Sequence, residues 1–195
     1  MRLRIATPLV MTATLLLLAC STSQLTTAKP PGVDSGTSPL LVGLSFEELV
    51  DQSDWIVIGT VMGQESKWNA DHTNIHTLVT ISVEEWLKGK PFTTSKDGKY
   101  SSNPLSCQIS DRLVVTTLGG SVGDIAQHVE DVPQFETGEQ VLLFLNLGLG
   151  NVVAVVGGIQ GEFTITNGNA VPATLSGDSM PLAELISRIK AQLAK

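Results

Sequence analysis

Cationic side chains are scarce in this chain: 12 Lys and Arg stand against 19 Asp and Glu, for a formal net charge of −7. A surface of that sign repels nucleic acid, and no Lys/Arg stripe is present to hold a phosphate backbone. Cysteine is rarer still. Two residues, Cys20 and Cys107, exclude the disulfide framework of small exported scaffolds. Catalytic signatures are weak as well: Ser121 lies in a Gly-x-Ser-x-Gly string, but no helical pattern follows it to make a nucleophile elbow. Gly119-Gly120-Ser121-Val122-Gly123 follows an apolar strand pattern without the lysine and the helix of a phosphate loop. Charge is low at 16% and apolar content is 42%, which excludes wholesale disorder and leaves enough chain for one domain with a real core.

The first 20 residues have a clear order. Met1-Arg2-Leu3-Arg4 is basic, Ile5 to Leu18 is apolar and uncharged, and Ala19 sits before Cys20. The apolar run is shorter than the roughly 20 residues needed to span a bilayer, and Pro8 interrupts it. Leu17-Leu18-Ala19-Cys20 resembles the lipobox of bacterial lipoprotein signal peptides. That resemblance implies cleavage before Cys20, lipidation of its sulfur, and a mature protein held to a membrane of the bacterial envelope by acyl chains such as palmitate. The domain would face the periplasm or the exterior. Removing residues 1–19 takes away Arg2 and Arg4 and no acid, so 10 basic residues face 19 acidic ones, a net of −9. Anionic lipid would repel such a domain, so membrane contact falls to the anchor alone. Cys107, with no basic group nearer than Arg112, reads as an incidental thiol.

Three segments follow from composition: a signal peptide over 1–19, a flexible Ser/Thr/Pro/Gly tether over 20–43, and a single β-rich domain over 44–195. Ser45-Phe46-Glu47-Glu48 fits a capping box, opening a short helix that ends near Ser53. Asp54–Gln64 and Ile75–Leu87 read as the strands of a long hairpin, the second alternating Ile75, Thr77, Val79, Ile81 and Val83 on one face, with Leu78 out of pattern. Arg112–Leu118, Gln140–Leu147, Asn151–Val156 and Ile159–Thr166 supply further strands. Residues 91–110 and 121–138 read as long irregular connections, and Asn167-Gly168 as a hairpin turn. Leu182, Leu185, Ile186, Ile189 and Leu193 recur at helical spacing, with Ser179 as cap and Pro181 in the first turn. Six strands with a helix at each end predict a mainly β fold, a small twisted antiparallel OB-like barrel, with a β-sandwich as the alternative.

Three stretches recur in character: Ser53-Asp54-Trp55 leading to Gly59-Thr60-Val61, then Val83-Glu84-Glu85-Trp86-Leu87-Lys88-Gly89, then Gly138-Glu139-Gln140-Val141-Leu142-Leu143-Phe144-Leu145. This arrangement, over roughly residues 44–165, resembles a group of uncharacterised exported bacterial proteins, themselves similar to the OB-like barrel of netrin modules and tissue inhibitors of metalloproteinases. The resemblance implies a barrel and, as one option, metalloprotease inhibition. That inhibition uses a free N-terminal cysteine to chelate zinc, whereas here Cys20 would carry lipid and be separated from the domain by the tether.

Candidate functional side chains are few. His72 and His76 are four apart beside Asp71, but strand rise places such residues about 13 Å apart, too far to share a metal. Asp124, His128, Glu130 and Glu139 offer acid–base groups in a long connection, the basis of a metal-dependent hydrolase reading. Trp55, Trp68 and Trp86 offer a stacking platform, with Trp68 the most exposed of the three. The function expected is therefore a non-catalytic, lipid-anchored module, without cofactor or metal, that binds an envelope protein or a small ligand and no nucleic acid. Cys20 is its lipidation site, and Trp68, His72 and His128 are its candidate ligand contacts.

Overall fold

The computed structural model describes residues 43–89, 92–101, 112–174 and 177–195. Cys20, Cys107, the segment read as a signal peptide and nearly all of the segment read as a tether lie outside the described residues. The described residues belong to one compact unit.

Helix α1 (Phe46–Gln52) begins as its capping box predicts: Ser45 Oγ accepts from the Glu48 amide, and Glu48 accepts from the Ser45 amide at 2.8 Å. Its C-terminal carbonyls are satisfied from outside the helix. Ser53 Oγ donates to the Leu49 carbonyl at 2.6 Å, and Lys88 Nζ donates to the Val50 carbonyl at 2.6 Å. Strands β1 (Trp55–Trp68) and β2 (Ile75–Lys88) form the long hairpin, closed by a tip in which Asn69 Oδ1 accepts from the Thr73 and Asn74 amides. The short pair β3 (Thr93–Thr94) and β4 (Tyr100–Ser101) follows, then β5 (Arg112–Leu118). A second small hairpin, β6 (Gly120–Val122) and β7 (Ile125–Gln127), occupies part of the connection read as irregular. Then come β8 (Gln140–Leu147), β9 (Val153–Val155), β10 (Glu162–Thr166), β11 (Asn169–Pro172), β12 (Met180–Pro181) and helix α2 (Leu182–Leu193). The Asn167-Gly168 turn joins β10 to β11 with both residues at positive φ, as predicted. Ser179 does not cap α2: Pro181 is the N-cap and makes no side-chain cap bond.

Eight of these strands form one antiparallel sheet in the order β12-β11-β10-β8-β1-β2-β5, with β9 also paired to β8. The expected closed barrel is not formed. The outer edge of β8 is shared, β10 taking Val141–Leu143 and β9 taking Leu145–Leu147, so no full-length strand remains to meet β5. Strand β9 runs beside β5 without pairing to it. The β3–β4 hairpin meets both sides of this seam: Thr94 Oγ1 accepts from the Val114 amide at 2.8 Å, and Lys99 bridges to Val152.

Both faces of the sheet are buried, which explains the continuous apolar runs in β1 and β8. The concave face packs on itself through Val57, Val61, Val79, Ile81, Leu113, Val115, Val141, Leu143 and Val153. On the convex face Ile56, Ile58, Leu142, Phe144 and Phe163 meet Leu49 and Val50 of α1 and Leu185 and Ile189 of α2. Leu78, out of pattern in the sequence, is buried on the outer face against Gly98 of the β3–β4 turn. One end of the concave interior is plugged by aromatics. Phe92 lies 4.2 Å from Trp55, 5.4 Å from Trp86 and 5.2 Å from Tyr100 between ring centroids. The other end, toward the β1–β2 tip, is open.

Candidate functional site

At that open end the inward-facing residues change from apolar to polar. Val79, Thr77 and Ile75 alternate onto the concave face of β2, and Gln64, Ser66 and Trp68 stand opposite them on β1. Thr117 continues the row on β5, paired with Thr77. Of these, Gln64, Ser66, Thr77 and Thr117, together with the turn Leu118–Ser121 and the segment Pro133–Phe135, line a pocket of about 320 Å³.

The pocket floor is held by a hydroxyl relay. Thr77 Oγ1 donates to the Gly119 carbonyl at 2.7 Å, and Ser66 Oγ lies 2.9 Å from Thr77 Oγ1. Thr77 has one hydroxyl proton, and Gly119 takes it, so Ser66 is the donor in the second bond. Gly120 crosses directly above this pair. A Cβ there would lie 2.3 Å from both the Ser66 and the Thr77 hydroxyl oxygens, and its φ of +124° is open to glycine alone. The Gly119-Gly120 pair is thus the bend by which the chain leaves the sheet and roofs the pocket.

The walls are pinned at several points. Gln64 Nε2 donates to the Phe135 carbonyl at 3.2 Å. Gln127 ties β7 to the hairpin tip, accepting from the Ile75 amide at 2.6 Å and donating to Asn74 at 3.1 Å. Behind the wall lies Glu162, only 2% exposed although it is an acid. Its register opposite Leu143 turns it to the concave side, beside Thr164 and Glu139. Burial, and next the negative charge of Glu139, push its carboxyl up to about 8, while a hydrogen bond from the Gln134 amide pulls the other way. At neutral pH Glu162 is therefore mostly a neutral acid, and it supports the backbone of a pocket-lining residue. Glu139 is itself engaged, accepting from Thr164 Oγ1 at 2.7 Å and from the Glu136 amide at 3.0 Å.

The candidate residues from the sequence are distributed around this site. Trp68 is the next residue after Ser66 on the concave face of β1, and His72 at the hairpin tip stacks on it with ring centroids 6.0 Å apart. His128 is exposed and directly follows β7, whose Gln127 bonds to the same tip. His76 sits in β2 opposite Lys67, turned away from the concave face. Trp55 and Trp86 belong to the aromatic plug at the far end. Among the described residues no three of the His, Cys, Asp and Glu side chains are grouped to hold a metal ion.

Sequence reasoning missed the pocket itself, because Ser66, Thr77 and Gly120 come from three segments that only the register brings together. It also missed Glu162, whose signal was present: a lone acid following Gly161 in an otherwise apolar and β-branched strand. No protein-family model matches this chain, and no curated protein matches it either.

Proposed function

We propose that this chain is a lipid-anchored protein of the bacterial envelope whose β domain binds a small polar ligand in the pocket at the open end of its sheet, without catalysing a reaction. The observation that carries the reading is the pocket: a concave site of about 320 Å³, walled by hydroxyls and amides fixed in place by the Ser66–Thr77–Gly119 relay. Pre-formed concave sites with a few oriented polar groups are where small ligands bind, and the mouth of a curled sheet is a recurrent place for them. Trp68, next after Ser66 on the same face of β1, carries the stacked ring of His72, and β7, which His128 directly follows, is bonded to the hairpin tip through Gln127. The address rests on the basic start, the apolar run and Cys20, with lipid in place of a membrane-spanning helix. Among the described residues no helix is long and apolar enough to cross a membrane. Architecturally we read the domain as an open variant of the OB-like barrel, its seam occupied by the β3–β4 hairpin. Inhibition of metalloproteases is not carried over with that topology, since Cys20 is assigned to the anchor.

The test uses Thr117→Phe, which fills the pocket from a half-buried position in an edge strand with a residue that favours strands. Small polar solutes that stabilise the full-length protein should raise its melting temperature saturably. The variant should fold and lose that response. Stabilisation unchanged by Thr117→Phe, or turnover of the bound solute, would remove this reading.

A further inference from the structure

The lining of the pocket selects a class of ligand. Of the residues that line it, none is ionisable: Gln64, Ser66, Thr77, Thr117, Ser121 and Gln134 supply its polar side chains. The nearest charges along β1, Glu65 and Lys67, are on the opposite face and pair with each other at 3.2 Å. An anion entering the pocket would leave water without meeting a cation, and a cation would meet no carboxylate among the lining side chains. Either transfer is costly, so the fitting ligand is neutral.

The polarity of the floor narrows the choice. Ser66 gives its proton to Thr77, so its oxygen faces the pocket with lone pairs only. Gln64 spends an amide proton on the Phe135 carbonyl and keeps Oε1 as an acceptor. The complementary molecule brings several hydroxyl or amide donors on one edge. Pro133 and Phe135 contribute apolar lining, so a second, C–H-rich face is also accommodated. A peptide strand is held through a ladder along a sheet edge, whereas this floor is a sheet face of side-chain oxygens.

We propose that the pocket binds a neutral saccharide, with sugar hydroxyls donating to Ser66 Oγ and Gln64 Oε1 and an apolar sugar face against Phe135 and Pro133. This rests on the binding-module reading above and adds the ligand class to it.

Calorimetric titration of the detergent-solubilised full chain tests it with five probes: maltotriose and N,N′,N″-triacetylchitotriose as neutral sugars, trigalacturonate as an anionic one, a chitosan trimer as a cationic one, and a capped tri-alanine peptide. The expected result is saturable binding of a neutral trisaccharide, abolished by Thr117→Phe and weakened about threefold to tenfold by Ser66→Ala, the loss of one hydrogen bond. Gln64→Leu should weaken it similarly, and it serves as the second probe if Ser66→Ala does not fold. The charged sugars should bind at least about tenfold more weakly. Tighter binding of a charged sugar or of the peptide, still sensitive to Thr117→Phe, would overturn the saccharide assignment and leave the binding module standing. Binding by no probe, or binding indifferent to Thr117→Phe, would overturn both.

Discussion

The Ser66 and Thr77 hydroxyls face each other across the β1–β2 ladder at 2.9 Å, and the pair ends on the Gly119 carbonyl. This contact converts two ordinary strand residues into a fixed acceptor surface and ties the first bend after β5 to the main hairpin. Replacing Thr77 with Val leaves the Gly119 carbonyl and the Ser66 hydroxyl without their partner, at a cost of roughly 1–3 kcal/mol. Because the two hydroxyls act as one unit, Ser66→Ala should add little on top of Thr77→Val. A double-mutant cycle from denaturant melts should return a coupling of at least about 0.5 kcal/mol.

Two glycines close in sequence should respond very differently to alanine. At Gly120 the new methyl would overlap both relay hydroxyls, and the φ of +124° is itself strained for any other residue. Gly123, at φ +59°, has open space where the methyl would go. Gly120→Ala should therefore destabilise by more than about 2 kcal/mol, and Gly123→Ala by about 1 kcal/mol. Equal melting temperatures for the two variants would show that the roof of the pocket is not set by this close approach.

The raised carboxyl of Glu162 makes stability depend on pH with a definite sign. Its folded value, about 8, lies above the ordinary 4.5, so the folded state holds a proton that the unfolded chain releases. The contribution is complete below pH 4.5 and is lost as pH rises toward 8, at roughly 1.4 kcal/mol per pH unit through the middle of that window. Glu162→Gln keeps the shape and an acceptor for the Gln134 amide but cannot ionise. Melts of both proteins from pH 5 to pH 9 should show the variant overtaking the wild type at the alkaline end. Glu139→Gln, which removes the second cause of the shift, should move the wild-type decline to higher stability at the same pH.

Lys88 reaches from the end of β2 to the last turn of α1, where its ammonium donates to the Val50 carbonyl at 2.6 Å. It is the cation at a helix C-terminus that has no basic residue of its own. Lys88→Met keeps the aliphatic stem and should cost about 1–2 kcal/mol, with faster amide exchange concentrated in α1 and at Ser53. Uniformly unchanged exchange would mean the bond carries no stability.

Much of this architecture was legible in the chain because local signals agreed. The capping box at Ser45, the alternation in β2 and the Asn167-Gly168 turn each appear where their residues place them. The recurring motif residues also acquired physical roles. Asp54 accepts from the Leu147 amide at 3.0 Å, a Cβ on Gly89 would lie 2.4 Å from the Trp55 ring, and Gly138 donates to the Val61 carbonyl at 2.8 Å. Closure of the barrel was not legible, because it depends on how one strand edge is divided between β9 and β10. The pocket was hidden for the same reason. Ser66, Thr77, Thr117 and Gly120 are unremarkable in sequence, and only register and the sharp turn at Gly119-Gly120 make them neighbours. Trp68 and His72 could be singled out as an aromatic and an imidazole near a turn, yet their stacking depends on the positive φ of His72.

The binding site proposed for this protein is the open, polar end of the curled sheet and not its aromatic-plugged end. The most direct measurement is an amide NMR screen of the protein against a cocktail of small polar fragments, with no prior choice of ligand. Saturable shifts should cluster on Ser66, Thr77, Gly119, Gly120 and Gln134. Hits confined to Trp55, Trp86, Phe92 and Tyr100, or scattered without a cluster, would contradict it.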